Sequence, residues 1–198
     1  MRTDVFLAML TFCFVSGVTP GPNNLMLMTS GVNFGFRRTL PHLMGVVVGF
    51  TLMVALVGFG LAAIFARVPA LLPTMRWLGV AYMLWLAWKI ANSGPVSDGE
   101  ARGAPLGFFG AAAFQWINPK GWVMAVSALT AYSVVDNYAR NVVIIALTYF
   151  VIAFPGSGVW ALLGASMRRA LADPRVARPF NWTMAALLVA SIATVFVE

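Results

Sequence analysis

The run VFLAMLTFCFVSGVTPGPNNLMLMTSGVNFGF, from Val5 to Phe36, contains neither an acidic nor a basic residue. As one straight helix rising about 1.5 Å per residue it would be roughly 48 Å long, against a bilayer hydrocarbon core of about 30 Å. A single uninterrupted span does not fit. The stretch Thr19-Pro20-Gly21-Pro22-Asn23-Asn24 offers the break, because two prolines remove backbone donors and a glycine tolerates strained backbone. The sequence therefore predicts a first span that is discontinuous, or that stops there and continues as a re-entrant or interfacial piece.

The rest of the chain repeats this character. Its 198 residues are 61% hydrophobic and 10% charged, whereas soluble domains are about 25% charged, so water is not the solvent of this surface. One all-α, polytopic integral membrane domain spanning 1–198 is predicted. The net charge of +7 does not indicate nucleic-acid binding, since the basic residues stand singly or in pairs between apolar runs and form no polybasic face. They read as membrane anchors and topology determinants. Val5 to Val18 after Arg2 superficially resembles a signal peptide, but no small-residue cleavage pattern follows, and the segment is kept in the mature chain. Cys13 is the sole cysteine, which excludes an internal disulfide, a thiol-redox pair and a cysteine metal site, and leaves a small apolar packing residue.

Six spans are predicted. The second runs from Pro41 to about Ala66 with a small-residue row at Gly45, Gly49 and Gly60, and the third, after a turn marked by Pro69 and Pro73, from Thr74 to Ile90. A polar connector, residues 92–105, divides the chain into halves 1–91 and 106–198. The fourth span, about Leu106 to Tyr132, is broken by Asn118-Pro119-Lys120-Gly121. The fifth, about Asn141 to Met167, is broken by Pro155-Gly156-Ser157-Gly158, and the sixth covers Pro179 to Val197. Connectors one, three and five hold Arg37, Arg38, Lys89, Arg102, Arg168, Arg169, Arg175 and Arg178, against Arg2, Arg67, Arg76 and Arg140 on the other side. The positive-inside rule puts the richer set in the cytoplasm and both termini in the periplasm.

Each half has three spans and opens on a broken one, and Arg76-Trp77 begins the third span much as Asn181-Trp182 begins the sixth. With an odd number of spans per half, such a repeat is inverted, the plan in which paired broken helices, here one and four, frame a site near the midplane. Unwound backbone at membrane depth is tolerated only where protein or a wet cavity satisfies it. An amino-acid zwitterion suits such a place: helix N-termini offer N–H groups to its carboxylate, and freed carbonyls and amide side chains accept from its ammonium. The candidate site residues are Pro20, Gly21, Pro22, Asn23, Asn24, Gln115, Asn118, Pro119 and Lys120, with Trp116 beside them. The plainer reading is that the prolines only kink helices and the asparagines cap the ends. Lys120 has uncharged residues for a dozen positions on either side, so it is read either as binding a substrate carboxylate or moving a proton, or as a lysine in a wet turn that sets topology. His42, beside Pro41 at a span boundary, reads as a hydrogen-bonding interface residue without a functional role, and no metal or other cofactor site is expected.

The two breaks, with Gly35-Phe36-Arg37 after the first, resemble the LysE/RhtB family of amino-acid exporters, and the run from Trp77 to Ala91 is similar to the corresponding helix of its cysteine and O-acetylserine efflux branch. The resemblance covers essentially the whole chain. It implies a six-span exporter of small amino acids in the bacterial inner membrane, driven by the proton gradient, with no nucleotide or bound cofactor. Family members resembling the basic-amino-acid exporters carry an aspartate after a glycine early in span two, where this chain has Gly49-Phe50. That departure argues against lysine or arginine and leaves small neutral amino acids such as cysteine, O-acetylserine, homoserine, threonine or leucine; it also leaves the proton-coupling residue unassigned. Lipid and the amino-acid substrate are the expected partners, with no nucleic acid and with a homo-oligomer left open. A thiol-transfer protein would need a second cysteine, and an intramembrane protease built on Ser157 would need a base that span six lacks. A membrane scaffold is the remaining alternative, and would not need two breaks.

Overall fold

A computed structural model describes residues 2–61, 67–68, 70–94, 104–133 and 137–193, and no strand occurs among them. Seven α-helices lie among the described residues: α1 (Thr3–Val18), α2 (Pro22–Leu56), α3 (Leu71–Ala91), α4 (Phe108–Phe114), α5 (Pro119–Tyr132), α6 (Tyr138–Met167) and α7 (Pro174–Ala193). A π turn, Val57–Leu61, follows α2, and short 3-10 turns occur at Gln115–Ile117 and Ala170–Ala172.

The helix α2 is not one rod. Ser30 and His42 are twelve positions apart, about 18 Å along a straight helix, yet Ser30 Oγ and His42 Nδ1 lie 2.9 Å apart. The chain reverses at Gly35, whose φ of 76° a Cβ would penalise, so that arms 22–34 and 36–56 pack side by side with Leu27 and Leu43 in one buried cluster. Arg37 and Arg38 sit exposed beside this reversal.

Around α6 the other helices take fixed directions. Arm 22–34 runs parallel to its C-terminal half: Ser157 meets Asn24, and the glycines at 31 and 164 let the two backbones touch, since a Cβ there would lie 2.2 Å from the Ala161 carbonyl oxygen or 2.1 Å from that of Met28. Arm 36–56 runs antiparallel, with Leu43 near Gly158, the Phe50 and Tyr149 rings 4.9 Å apart, and the Tyr138 hydroxyl donating to the Gly58 carbonyl at 2.9 Å. Helices α4 and α5 follow that arm in parallel, Gly45 against Phe108 and Ala111, Gly49 against Ala112, and Gly121 beside Phe50 and Met53. Finally α3 packs on α7 through Val80, Met83, Ala185 and Leu188, and Asn181 Nδ2 donates to the Ser93 carbonyl at 2.8 Å.

Buried polar groups point inward while large apolar side chains face out, among them Leu147, Val151, Phe154 and Leu162 along α6 and Trp77, Trp85 and Trp88 along α3. A continuous apolar exterior needs an apolar solvent. Among the described residues two helical stretches, Pro22–Gly60 and Tyr138–Met167, are long and apolar enough by length and composition to cross a membrane, and the first is divided into two arms by the reversal at Gly35.

Both expected breaks are present, at 19–21 between α1 and α2 and at Asn118 between α4 and α5. Other expectations are corrected. The fifth span is unbroken: α6 continues through Pro155, which removes one backbone donor, while its flanking glycines admit Val18 and Leu43 at close range and the neighbours hold the helix. Pro41, Pro73 and Pro179 likewise lie inside helices rather than before them. Gly45 and Gly49 serve helix packing, whereas Gly60 has nothing within 4 Å of its Cβ position among the described residues and takes a φ of 112° in the π turn. His42 is not an interface residue but is 1% exposed, buried between the arms of α2. The end of span two at 62–66, Pro69, the connector charges Asp98, Glu100 and Arg102, and the end of span six at 194–197 lie outside the described residues.

Candidate functional site

A helix that stops inside a membrane leaves its last carbonyls without acceptors' usual partners, and α1 stops at Val18. Side chains from three other helices satisfy them. Asn24 Nδ2 donates to the carbonyls of Gly17 at 2.9 Å and Thr19 at 3.0 Å, Trp160 Nε1 to that of Val18 at 3.0 Å, and Lys120 Nζ to those of Thr19 at 2.8 Å and Pro20 at 3.2 Å. Lys120 thus crosses from the second break to the first and places its charge at the negative end of the α1 dipole. The second crossing is an amide pair: Asn23 Nδ2 donates to Gln115 Oε1 at 2.8 Å and Gln115 Nε2 returns to Asn23 Oδ1 at 3.1 Å.

Where the breaks meet, a cleft opens whose empty space, its open mouth included, is about 500 Å³. Of the expected site residues, Gly21, Pro22, Asn23, Asn24, Asn118 and Lys120 line it; Pro20, Gln115 and Pro119 do not. Gln115, fully buried, stands behind Asn23, and Pro119 opens α5. Trp116 faces Trp122, with ring centres 6.1 Å apart, and is not part of the wall. Asn24 has both amide atoms engaged, since Ser157 Oγ also donates to its Oδ1 at 3.0 Å. Asn118 differs: it is 2% exposed, lines the cleft, and its Oδ1 has no hydrogen-bond partner among the described residues. A buried acceptor left open costs about 1–3 kcal/mol, so the cleft has to supply its donor.

The two helices entering the cleft both start with proline and carry no side-chain cap. By helix geometry the amides of Asn23 and Asn24 in α2, and of Lys120 and Gly121 in α5, have no acceptor within their own helices. They form a donor set suited to an anion. Cys13, Ser16, Phe50, Met124 and Tyr149 also line the cleft. Sequence reasoning marked Phe50 only as a missing carboxylate and did not single out Tyr149 or Ser16. The available signal was a phenol, next to Thr148, in an otherwise apolar stretch, because a buried phenol must find a partner.

An apolar coat around a cleft formed where two interrupted helices meet is the build of a membrane transporter. The chain belongs to the LysE type translocator family, whose pattern matches residues 14–198, and it is accordingly a transporter and not an enzyme. It is 35% identical over 198 residues to the cysteine/O-acetylserine efflux protein of Salmonella choleraesuis, covering 99% of this chain and all of the relative. The proteins of the same name from Klebsiella pneumoniae and Escherichia coli K12 are 33% and 32% identical, covering 100% and 99% of this chain and all of each relative. No solved structure matches the chain.

Proposed function

We propose that the protein exports a small neutral amino acid, of the cysteine or O-acetylserine kind, across the bacterial inner membrane at the expense of the proton gradient. The observation that carries this reading is the cleft at the joined breaks, which offers unpaired helix N-termini and Lys120 to a carboxylate and the open Oδ1 of Asn118 to an ammonium. The names of the full-length relatives agree with it. During transport Lys120 exchanges the Thr19 and Pro20 carbonyls for the substrate carboxylate. Phe50, buried in the cleft wall against Tyr149, occupies a place where a carboxylate would favour a cationic side chain, and so supports neutral substrates. The test is efflux of a panel of labelled amino acids from preloaded vesicles, with and without an imposed proton gradient. Faster release of a small neutral member than from protein-free vesicles, increased by the gradient, is expected; no acceleration for any member would sink the exporter reading, and acceleration indifferent to the gradient would remove proton coupling.

The reading includes six spans in an inverted three-plus-three repeat of halves 1–91 and 106–198. Matching contacts support it: α1 with arm 22–34 follows α6 as α4 with α5 follows arm 36–56, and α3 pairs with α7. With an odd number of spans per half, the connector 92–105 faces the cytoplasm and both termini the periplasm. Single cysteines placed in that connector, in a Cys13→Ala background, are expected to resist a membrane-impermeant thiol reagent in intact cells and to react after permeabilisation. Ready labelling in intact cells would invert the orientation.

A further inference from the structure

Between α1 and α5, about one turn from each break, the cleft wall carries a hydrogen-bonding group that the described residues hold only at long range. Tyr149 is 1% exposed, and its hydroxyl has long contacts only: 3.5 Å to Ser16 Oγ and 3.5 Å to the Met124 carbonyl. The Cys13 thiol is a further weak partner of the same phenol. A well-made O–H···O bond is about 2.7–2.8 Å long, so this buried hydroxyl is loosely held on every side. Packing alone does not require it, because the ring already stacks edge-on against Phe50 at 4.9 Å and phenylalanine would do the same.

We propose that Tyr149 and Ser16 form the subsite that reads the substrate's side chain, selecting amino acids that carry an oxygen or sulfur near its end over hydrocarbon side chains of equal size. This rests on the exporter reading above and names residues for a choice that reading leaves open. The α-carboxylate and ammonium take the part of the cleft holding Lys120 and Asn118, and the phenol, held between Met124 and Ser16 about one turn away, is within reach of a short side chain. There a substrate heteroatom completes the Tyr149 hydrogen bond and bridges toward Ser16. A methyl group in the same place gives nothing back and leaves the hydroxyl desolvated, which is how a polar subsite rejects an isostere. Phe50 and Met124 close the sides of this space and limit its length.

The test compares homoserine with norvaline, which differ only in a hydroxyl in place of a methyl. Efflux of each is followed from vesicles holding equal amounts of inserted protein, and the ratio of the two rates is read. Wild type is expected to favour homoserine, and Tyr149→Phe to reduce that ratio about tenfold, equivalent to about 1.4 kcal/mol; Ser16→Ala should reduce it in the same direction and serves alone should the tyrosine variant fail to insert. A wild-type ratio near one, or a ratio unchanged in the inserted variants even when both rates fall together, overturns the subsite and leaves Tyr149 a packing residue. If wild type moves none of a wider amino-acid panel faster than protein-free vesicles, the exporter reading falls and the subsite with it.

Discussion

Lys120→Met is expected to insert normally and to lose amino-acid efflux by about a hundredfold, or ~2.7 kcal/mol at 1.36 kcal/mol per tenfold. That magnitude is within the range of about 1.5–3 kcal/mol for a hydrogen bond to a charged group. The lysine has two duties in the proposed cycle: it closes the carbonyl end of α1 through Thr19 and Pro20, and it meets the substrate carboxylate when it leaves them. Methionine keeps most of the stem and does neither. Lys120→Arg keeps the charge but brings a planar, bulkier head into a place where the lysine stem lies flat on Gly21; a Cβ on that glycine would be 2.6 Å from Lys120 Cδ. Arginine should therefore retain part of the efflux. Gly21→Ala gives an independent probe, since it displaces the lysine without altering its charge and should also slow transport. Surface labelling of the connector cysteines reports insertion alongside efflux. Normal efflux by an inserted Lys120→Met protein would remove Lys120 from the site, and misinsertion of Met together with full activity of Arg would reduce it to a topology signal.

The breaks were legible in the sequence because proline, glycine and asparagine at membrane depth conflict with an uninterrupted helix, and the conflict has few solutions. Their mutual contact was legible only as a pattern. Nothing local in Gln115-Trp116-Ile117 indicates that Gln115 would pair with Asn23 of the other half, since that bond depends on how the two broken spans are brought together. The sequence located the first reversal near Arg37 and Arg38; the turn itself is made by Gly35, which is hidden in an apolar run between two phenylalanines. Pro155 misled in the other direction. A proline beside glycines reads as a break, but here the glycines face Val18 and Leu43 and the surrounding helices keep α6 whole. Tyr149 was not singled out, and Phe50 was marked only as a missing carboxylate, because one-dimensional context cannot distinguish a ring that packs from a ring that also walls a cleft.

The second large effect expected is on stability, at Asn24. This residue entered as a substrate-binding candidate, yet its amide is committed within the protein: Nδ2 closes the carbonyls of Gly17 and Thr19, and Oδ1 accepts from Ser157. Asn24→Leu keeps the branched shape and the number of side-chain heavy atoms and removes every one of these bonds. Thr19 keeps Lys120, but on the wall of the cleft the Gly17 carbonyl and the Ser157 hydroxyl lose the only side-chain partners they have among the described residues. An unsatisfied polar group there costs about 1–3 kcal/mol by mutational measure and more in hydrocarbon, so a loss of roughly 3 kcal/mol or more is expected. Ser157→Ala removes a single bond of the network and should cost about 1 kcal/mol. Asn24→Asp retains an acceptor for Ser157 but turns a donor into a negative charge against two carbonyls, and should be at least as damaging as leucine. Thermal unfolding of the three variants in detergent, read beside efflux in vesicles, separates the possible duties. An order of wild type, Ser157→Ala, then Asn24→Leu and Asn24→Asp in falling stability makes Asn24 the tie that holds the break shut. A stable Asn24→Leu protein that has lost efflux would return the residue to the substrate, and would mean that the α1 carbonyls tolerate exposure because the cleft beside them is wet.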